Sequence, residues 1–339
     1  MYVTATGLVC SVGWNAASAC AAMRAGIANF VQLPYHDNEG EPIMGGLVPE
    51  LASGLTQKGR LIDLLAMAIS DCLEANIPEP LDKVPLLVGM AEPDRPGGGA
   101  GLAPNIIEQA QERLGIRFHP KLSRVFPNGH TSGFEALAYT KELFISGGHS
   151  FCLICGVDSY MNAASLLWLN QHLRLKTTEN SDGIIPGEAG AAVLVQREVG
   201  NNSSTILKVS GLGFAHEHAY VLSEEPLLGL GLAEAVGIAL SQAGVQMHEV
   251  DFRVSDVTGE GYGFKEQALS LGRLMRLRRE DLPIWHYADS IGDIGAAAGI
   301  SELVVSMHSF AKNYAPGNRA LCYTGSVLGS RAVAVVERE

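Results

Sequence analysis

The residues that most restrict the fold of this chain run from Val125 to Ser146. Val125-Phe126 reads as the end of an apolar strand, Pro127-Asn128-Gly129-His130 as a tight turn, and Thr131 or Ser132 as the start of a helix. A side chain on such a turn faces the first free N–H groups of the helix, a position where enzymes often place a nucleophile. The residue there is His130, flanked by Gly129 and Thr131-Ser132-Gly133. An N-capped surface helix has the same signature, so the segment takes its meaning from the rest of the chain.

Strand-like and helix-like segments alternate throughout. Residues 2–13, 85–90, 150–157 and 189–196 read as strands, the third an apolar run suited to cover on both faces. Residues 15–23 form an Ala-rich helix, and 104–114 an amphipathic one. Leu61, Leu64, Leu65, Ala68, Ile69 and Cys72 mark the buried face of another. The Pro/Gly-rich segment 92–101 lacks the spacing of a phosphate-binding loop and is expected to be mobile. A polar tract at 197–204 divides the chain into halves, 1–200 and 201–339. Beyond it, 205–211, 252–256, 284–287, 320–323 and 332–337 read as strands. Residues 230–243, a stretch around Glu266, and 296–310 read as helices. The pattern predicts an α/β fold with parallel pairing. The 39 glycines among 339 residues fit its tight turns and close packing.

With 24 Lys+Arg against 36 Asp+Glu, the formal charge of −12 opposes a nucleic-acid partner. Cys152 and Cys155 have redox or zinc spacing, but strand alternation puts them on opposite faces and no second pair completes a zinc site. No basic region precedes an apolar leader and no run has membrane-spanning length, so a cytoplasmic protein is expected. His216-Glu217-His218 could set two imidazoles on one strand face, although an exposed polar edge explains it as well.

Several motifs occur in one family's order. Val3-Thr-Ala-Thr-Gly7-Leu-Val-Cys-Ser-Val-Gly13 and Ala22-Met-Arg-Ala-Gly26 lie at the start. Thr131-Ser-Gly133 with Gly156-Val-Asp-Ser159 and Asp182-Gly183 with Pro186-Gly-Glu188-Ala-Gly190 follow. Ser290-Ile-Gly292-Asp293 running on to Gly299 comes last. Together they resemble the β-ketoacyl synthases of the thiolase fold. The resemblance implies duplicated βαβαβαββ halves in a five-layered α-β-α-β-α core, no cofactor, and a dimer whose two-fold buries about 123–126.

In that family a Cys at the helix start takes an acyl group, and two His residues stabilise the malonyl thioester oxygen as carbon dioxide leaves. Carried over, the Cys position is His130, the His positions are Asp256 and Asp293, and the preceding Lys position is Ala288. The pantetheine-contacting position is Glu260, beside Thr258, and the gating loop becomes Gly325-Ser-Val-Leu-Gly329-Ser-Arg331, without its Phe. Imidazole forms no stable exchangeable thioester, and carboxylates only accept hydrogen bonds and repel an enolate. The resemblance therefore implies a non-condensing homologue, accessory or binding, that forms a homodimer or pairs with a ketosynthase-like subunit. Two alternatives stand beside it: an acyl-thioester acyltransferase or hydrolase using His130 as a general base between the aspartates, and a divalent metal held by the same three groups. Acyl-CoA or an acyl carrier protein would be the small partner, the latter opposed by the chain's charge. At an effective dielectric near 20, a unit charge about 5 Å away is worth roughly 3 kcal/mol, against about 1 kcal/mol from the helix terminus. The two aspartates are thus expected to hold His130 protonated.

Overall fold

A computed structural model describes residues 1–49, 51, 56–74, 80–198 and 206–339. The first half contains β1 (Tyr2–Cys10), α1 (Ala16–Arg24), a hairpin of β2 (Val31–His36) and β3 (Pro42–Gly45), and α2 (Gln57–Leu73). It continues with β4 (Leu86–Gly89), α3 (Ile106–Leu114), β5 (Arg124–Phe126), α4 (Ser132–Ile145), β6 (Phe151–Ser159), α5 (Ala163–Gln171) and β7 (Glu188–Gln196). The second half contains β8 (Leu207–His216), α6 (Leu230–Ala243), β9 (Phe252–Ser255), α7 (Gly261–Leu274) and β10 (Ile284–His286). The short α8 (Ala288–Ile291), α9 (Ala298–Ala311), β11 (Arg319–Gly325) and β12 (Ser330–Arg338) complete it.

Local chemistry explains the helix limits. Asn15 caps α1, its side chain accepting from the Ser18 N–H at 2.8 Å while Ser18 reaches back to the cap. Gly244, in the left-handed region, ends α6 at the residue expected from the sequence.

The sheet order is β10-β9-β11-β12-β8-β1-β7-β6-β4-β5. Strands β1 and β8 share only the pairs Tyr2–Lys208 and Val3–Leu207, so the sheet is two five-stranded leaves joined at one corner. Numbered along the chain within each leaf, both have the order 3-2-4-5-1. The expectation of parallel pairing holds for part of each leaf and is corrected for the rest. In each leaf the central strand pairs parallel on one side, while β6–β7, β1–β7, β11–β12 and β8–β12 are antiparallel. In the second leaf, β11 turns straight back into β12 without the helical crossover that a parallel pair requires.

Helices α4 and α9 lie between the leaves, α2 packs outside the first and α6 outside the second, which gives the five layers. The alternation of β6 serves both sides. Cys152 and Ile154 face the central core with Phe134 of α4 and Ile300 and Phe310 of α9. Leu153 and Cys155 face the outer core with Leu61, Leu64 and Leu65 of α2. The two cysteines are therefore back to back, as the alternation requires.

Segment 92–101 is held in place, contrary to the mobility expected of it. Arg95 is buried, ion-pairs with Asp158 and lies 4.2 Å from the Tyr160 ring centroid. The Gly97 carbonyl accepts from Gln57 Nε2 at 3.2 Å and Asn162 Nδ2 at 3.3 Å. Most of the division expected at 197–204 lies outside the described residues. Among the described residues, no helix is long and apolar enough to cross a membrane.

Candidate active-site pocket

The turn between β5 and α4 is a 3-10 turn, Gly129–Thr131, with Gly129 at φ +62°. A Cβ at Gly129 would stand 2.1 Å from Glu92 Oε1, so close approach and backbone hand both require glycine. His130, 5% exposed, points from this turn into the space between the leaves. Opposite stands Asp293, just before the 3-10 turn Gly295–Ala297 that leads into α9. Asp293 is fixed through its backbone. Its N–H donates to Ile185 O and its carbonyl accepts from Gly187 N–H, both at 2.8 Å, so the Pro186-Gly187 segment clamps the Asp293 loop.

The two side chains meet. His130 Nε2 lies 2.8 Å from Asp293 Oδ1, which also accepts the Gly295 N–H at 2.9 Å. Burial opposes a charge on His130. Asp293, through its charge and hydrogen bond, and Asp256 and Glu92, through their charges, outweigh that and raise the imidazole to about 9. Burial likewise opposes charge on Asp293, but His130 and the Gly295 N–H prevail and lower it to about 2. Imidazolium and carboxylate therefore coexist at neutral pH, as the sequence led us to expect.

Asp256 follows β9 and holds the Gly325 N–H at 2.9 Å through Oδ2. Burial raises its carboxyl to about 6, against the pull of His130, and its side chain stays partly exposed to the pocket. Thr258, Glu260 and Gly325 line the same cavity, whose volume is about 70 Å³. The six residues singled out from the sequence thus converge on one pocket. Ala288 is the first residue of α8, and no lysine lines the cavity.

Two arginines line the same pocket. Arg174 grips Glu260 with two hydrogen bonds, of 2.7 and 2.6 Å. Arg331 pairs with Glu266 at 2.8 Å and donates to the Tyr262 hydroxyl at 2.8 Å and the Ser326 carbonyl at 3.0 Å. Arg174 carries no local motif, whereas Arg331 ends the altered gating loop, where the chain enters β12. Glu302 in α9 is fully buried, and burial first, then the charge of Asp256, pushes its carboxyl well up.

His216 and His218 are exposed and stack edge to face at 5.0 Å, while Glu217 between them accepts the Gly231 N–H at the start of α6. Among the described residues, no group of three or more His, Cys, Asp or Glu is placed to hold a metal ion. All six cysteines are buried and none lines the pocket; burial pushes the Cys10 and Cys152 thiols up to about 12.

The chain is 21% identical over 210 residues, 56% of its length, to 3-oxoacyl-[acyl-carrier-protein] synthase 2 of Mycobacterium leprae. It is 22% identical over 204 residues to a putative polyketide beta-ketoacyl synthase of Streptomyces cyaneus. It spans about half the length of these relatives, 50% and 48%. No protein-family model matches it.

Among solved structures, the oxazolomycin ketosynthase domain of Streptomyces albus JA3453 covers 100% of this chain with 75% of its own, at TM-score 0.81 and 15% identity. The ishigamide ketosynthase/chain length factor covers 99%, with 98% of its own chain, at TM-score 0.80 and 17% identity. A ketosynthase of Xenorhabdus doucetiae in complex with its chain length factor covers 100%, with 98% of its own chain, at TM-score 0.75 and 14% identity. The fold is the thiolase fold of the ketosynthases. The chain resembles the β-ketoacyl synthases in sequence and shares their fold.

Proposed function

We propose that this chain is a non-condensing ketosynthase homologue that acts as an accessory or binding subunit. The observation that carries the reading is His130, which the sequence resemblance assigns to the family's nucleophile position, bound to Asp293 at 2.8 Å and raised to about 9. An imidazolium has no lone pair with which to attack a thioester. The two aspartates standing at the His positions would repel the enolate that condensation must stabilise.

A partner subunit fits this reading, since β5 ends the sheet with one edge unpaired. We place a two-fold along β5, in a homodimer or a heterodimer with a ketosynthase-like subunit. The neighbours in ketosynthase–chain length factor complexes support the heterodimer. We further take 1–200 and 201–339 as the two thiolase-fold domains, no cofactor as needed, and the cytoplasm as the compartment.

A second reading, an acyl-thioester hydrolase, rests on Asp256, which titrates near 6 and is partly exposed. Mass spectrometry after incubation with acyl-CoA and acyl carrier thioesters separates the two. The protein and thioesters should both return unchanged; free acid would favour the hydrolase, and an acylated protein would overturn the non-condensing reading. Light scattering tests the interface, because a monomer at micromolar concentration, with or without a ketosynthase, would count against it.

A further inference from the structure

On the far side of α9 from the first leaf's outer helices, a second cleft of about 360 Å³ opens between α1, β10 and the loop that follows α9. It shares no lining residue with the His130 pocket. Its volume is within the roughly 300–1,000 Å³ range of small-molecule sites, and its walls have their usual chemistry. Trp285 of β10 leans on Phe252 at 4.5 Å and on Tyr314 at 5.9 Å between ring centroids. These contacts fix the indole and the phenol into one aromatic wall. Met23 of α1 and Val305 of α9 supply apolar surface beside it.

The charged and titratable groups in its lining include Arg24, His286 and Asp289. The Arg24 guanidinium, in the last turn of α1, lies over the Tyr314 ring at 4.2 Å. The stack orders the arginine but leaves its N–H groups without a carboxylate among the described residues. Asp289 is occupied differently: it is mostly exposed and faces His286 at 3.4 Å. A planar guanidinium held over a ring is suited to a carboxylate, which it can meet with two parallel hydrogen bonds. A cationic ligand would have to displace Arg24 from the Tyr314 face, so the aromatic cage is already filled by the protein's own cation.

We propose that this cleft binds a flat aromatic carboxylate, its ring packed against Trp285, Met23 and Val305 and its carboxylate on the Arg24 guanidinium that Tyr314 holds in place. The inference is independent of what the His130 pocket does.

Binding of 2-naphthoate, its neutral amide and the corresponding trimethylammonium compound to the full chain, followed by tryptophan fluorescence and calorimetry, tests it. The carboxylate should bind at least about tenfold more tightly than the amide, equivalent to about 1.4 kcal/mol. The optical change should be lost in Trp285→Phe while the calorimetric signal remains. Arg24→Gln, an exposed substitution that leaves the core intact, should erase the difference between acid and amide. Tyr314→Ala should weaken both. No saturable binding by about 1 mM, equal affinity for acid and amide, or preference for the cation would each overturn the proposal.

Discussion

Each half of the molecule sends its third strand toward a central helix through a 3-10 turn with one left-handed glycine. In the first half β5 reaches α4 through Gly129, φ +62°; in the second, β10 and α8 reach α9 through Gly295, φ +52°. The two glycines clear room for acidic side chains in the same way. A Cβ would stand 2.1 Å from Glu92 Oε1 at Gly129 and 2.0 Å from Asp158 Oδ2 at Gly295. The turns differ in what they present: one offers an imidazole, the other a carboxylate. The repeated architecture makes the meeting place, and two side chains decide whether it attacks a substrate or neutralises itself. A scaffold of this kind can lose one chemistry without losing its fold.

The largest expected effect comes from removing one partner of that meeting. Asp293→Ala should lower stability by about 3 kcal/mol, at the low end for a broken buried pair because imidazole can shed its proton. Urea unfolding at pH 6 measures it, and a loss below about 0.5 kcal/mol would mean that the pair contributes nothing.

Nearly as large is the pH dependence. His130 is raised from 6.5 to about 9, so its contribution is full below about pH 6.5 and is lost as pH rises through 9. Asp293 is lowered from 3.8 to about 2, so its contribution is full above about pH 3.8 and is lost as pH falls through 2. The ion pair should thus be most stabilising between about pH 4 and 6.5, with about 3 kcal/mol lost on the alkaline side. Asp256, raised from 3.8 to about 6, adds a loss of the same sign at lower pH, developing between about pH 3.8 and 6, because its ionisation costs more in the folded chain. In Asp293→Asn the alkaline slope assigned to His130 should vanish; its persistence would assign it to another group.

Gly129→Ala and Gly295→Ala should each cost at least about 1–2 kcal/mol from backbone hand alone. Thermal unfolding of both variants sharpens the comparison, since equal losses are expected from turns of opposite chemistry. The smallest expected effect is none. His130→Cys should release no carbon dioxide from a malonyl thioester, because the thiol would gain about 0.3–1 kcal/mol from the helix terminus while facing Asp256 and Asp293. Measurable release would show that the aspartates do not govern the pocket.

What could be read in advance follows from the range of each interaction. Helix α6 and the back-to-back cysteines of β6 depend on neighbours within one turn or one pleat, and periodicity shows them. The β2–β3 hairpin was not legible, because Pro34 and an interrupted register between Gln32 and His36 break the alternation. His130 and Asp293 are 163 residues apart, and only the resemblance to a known family put them together. The Arg174–Glu260 and Arg331–Glu266 pairs, 86 and 65 residues apart, each have one member, Glu260 or Arg331, in a motif compared with that family, while nothing local announced the partners Arg174 and Glu266.

The central claim is that the turn at the nucleophile position carries a cation paired with the turn opposite. An NMR titration of the His130 imidazole, assigned by comparison with His130→Gln, tests it most directly. The account predicts a pKa near 9 that falls sharply in Asp293→Asn. A value below 6.5, unchanged by that substitution, would mean a neutral imidazole free to act as a base and would contradict the account.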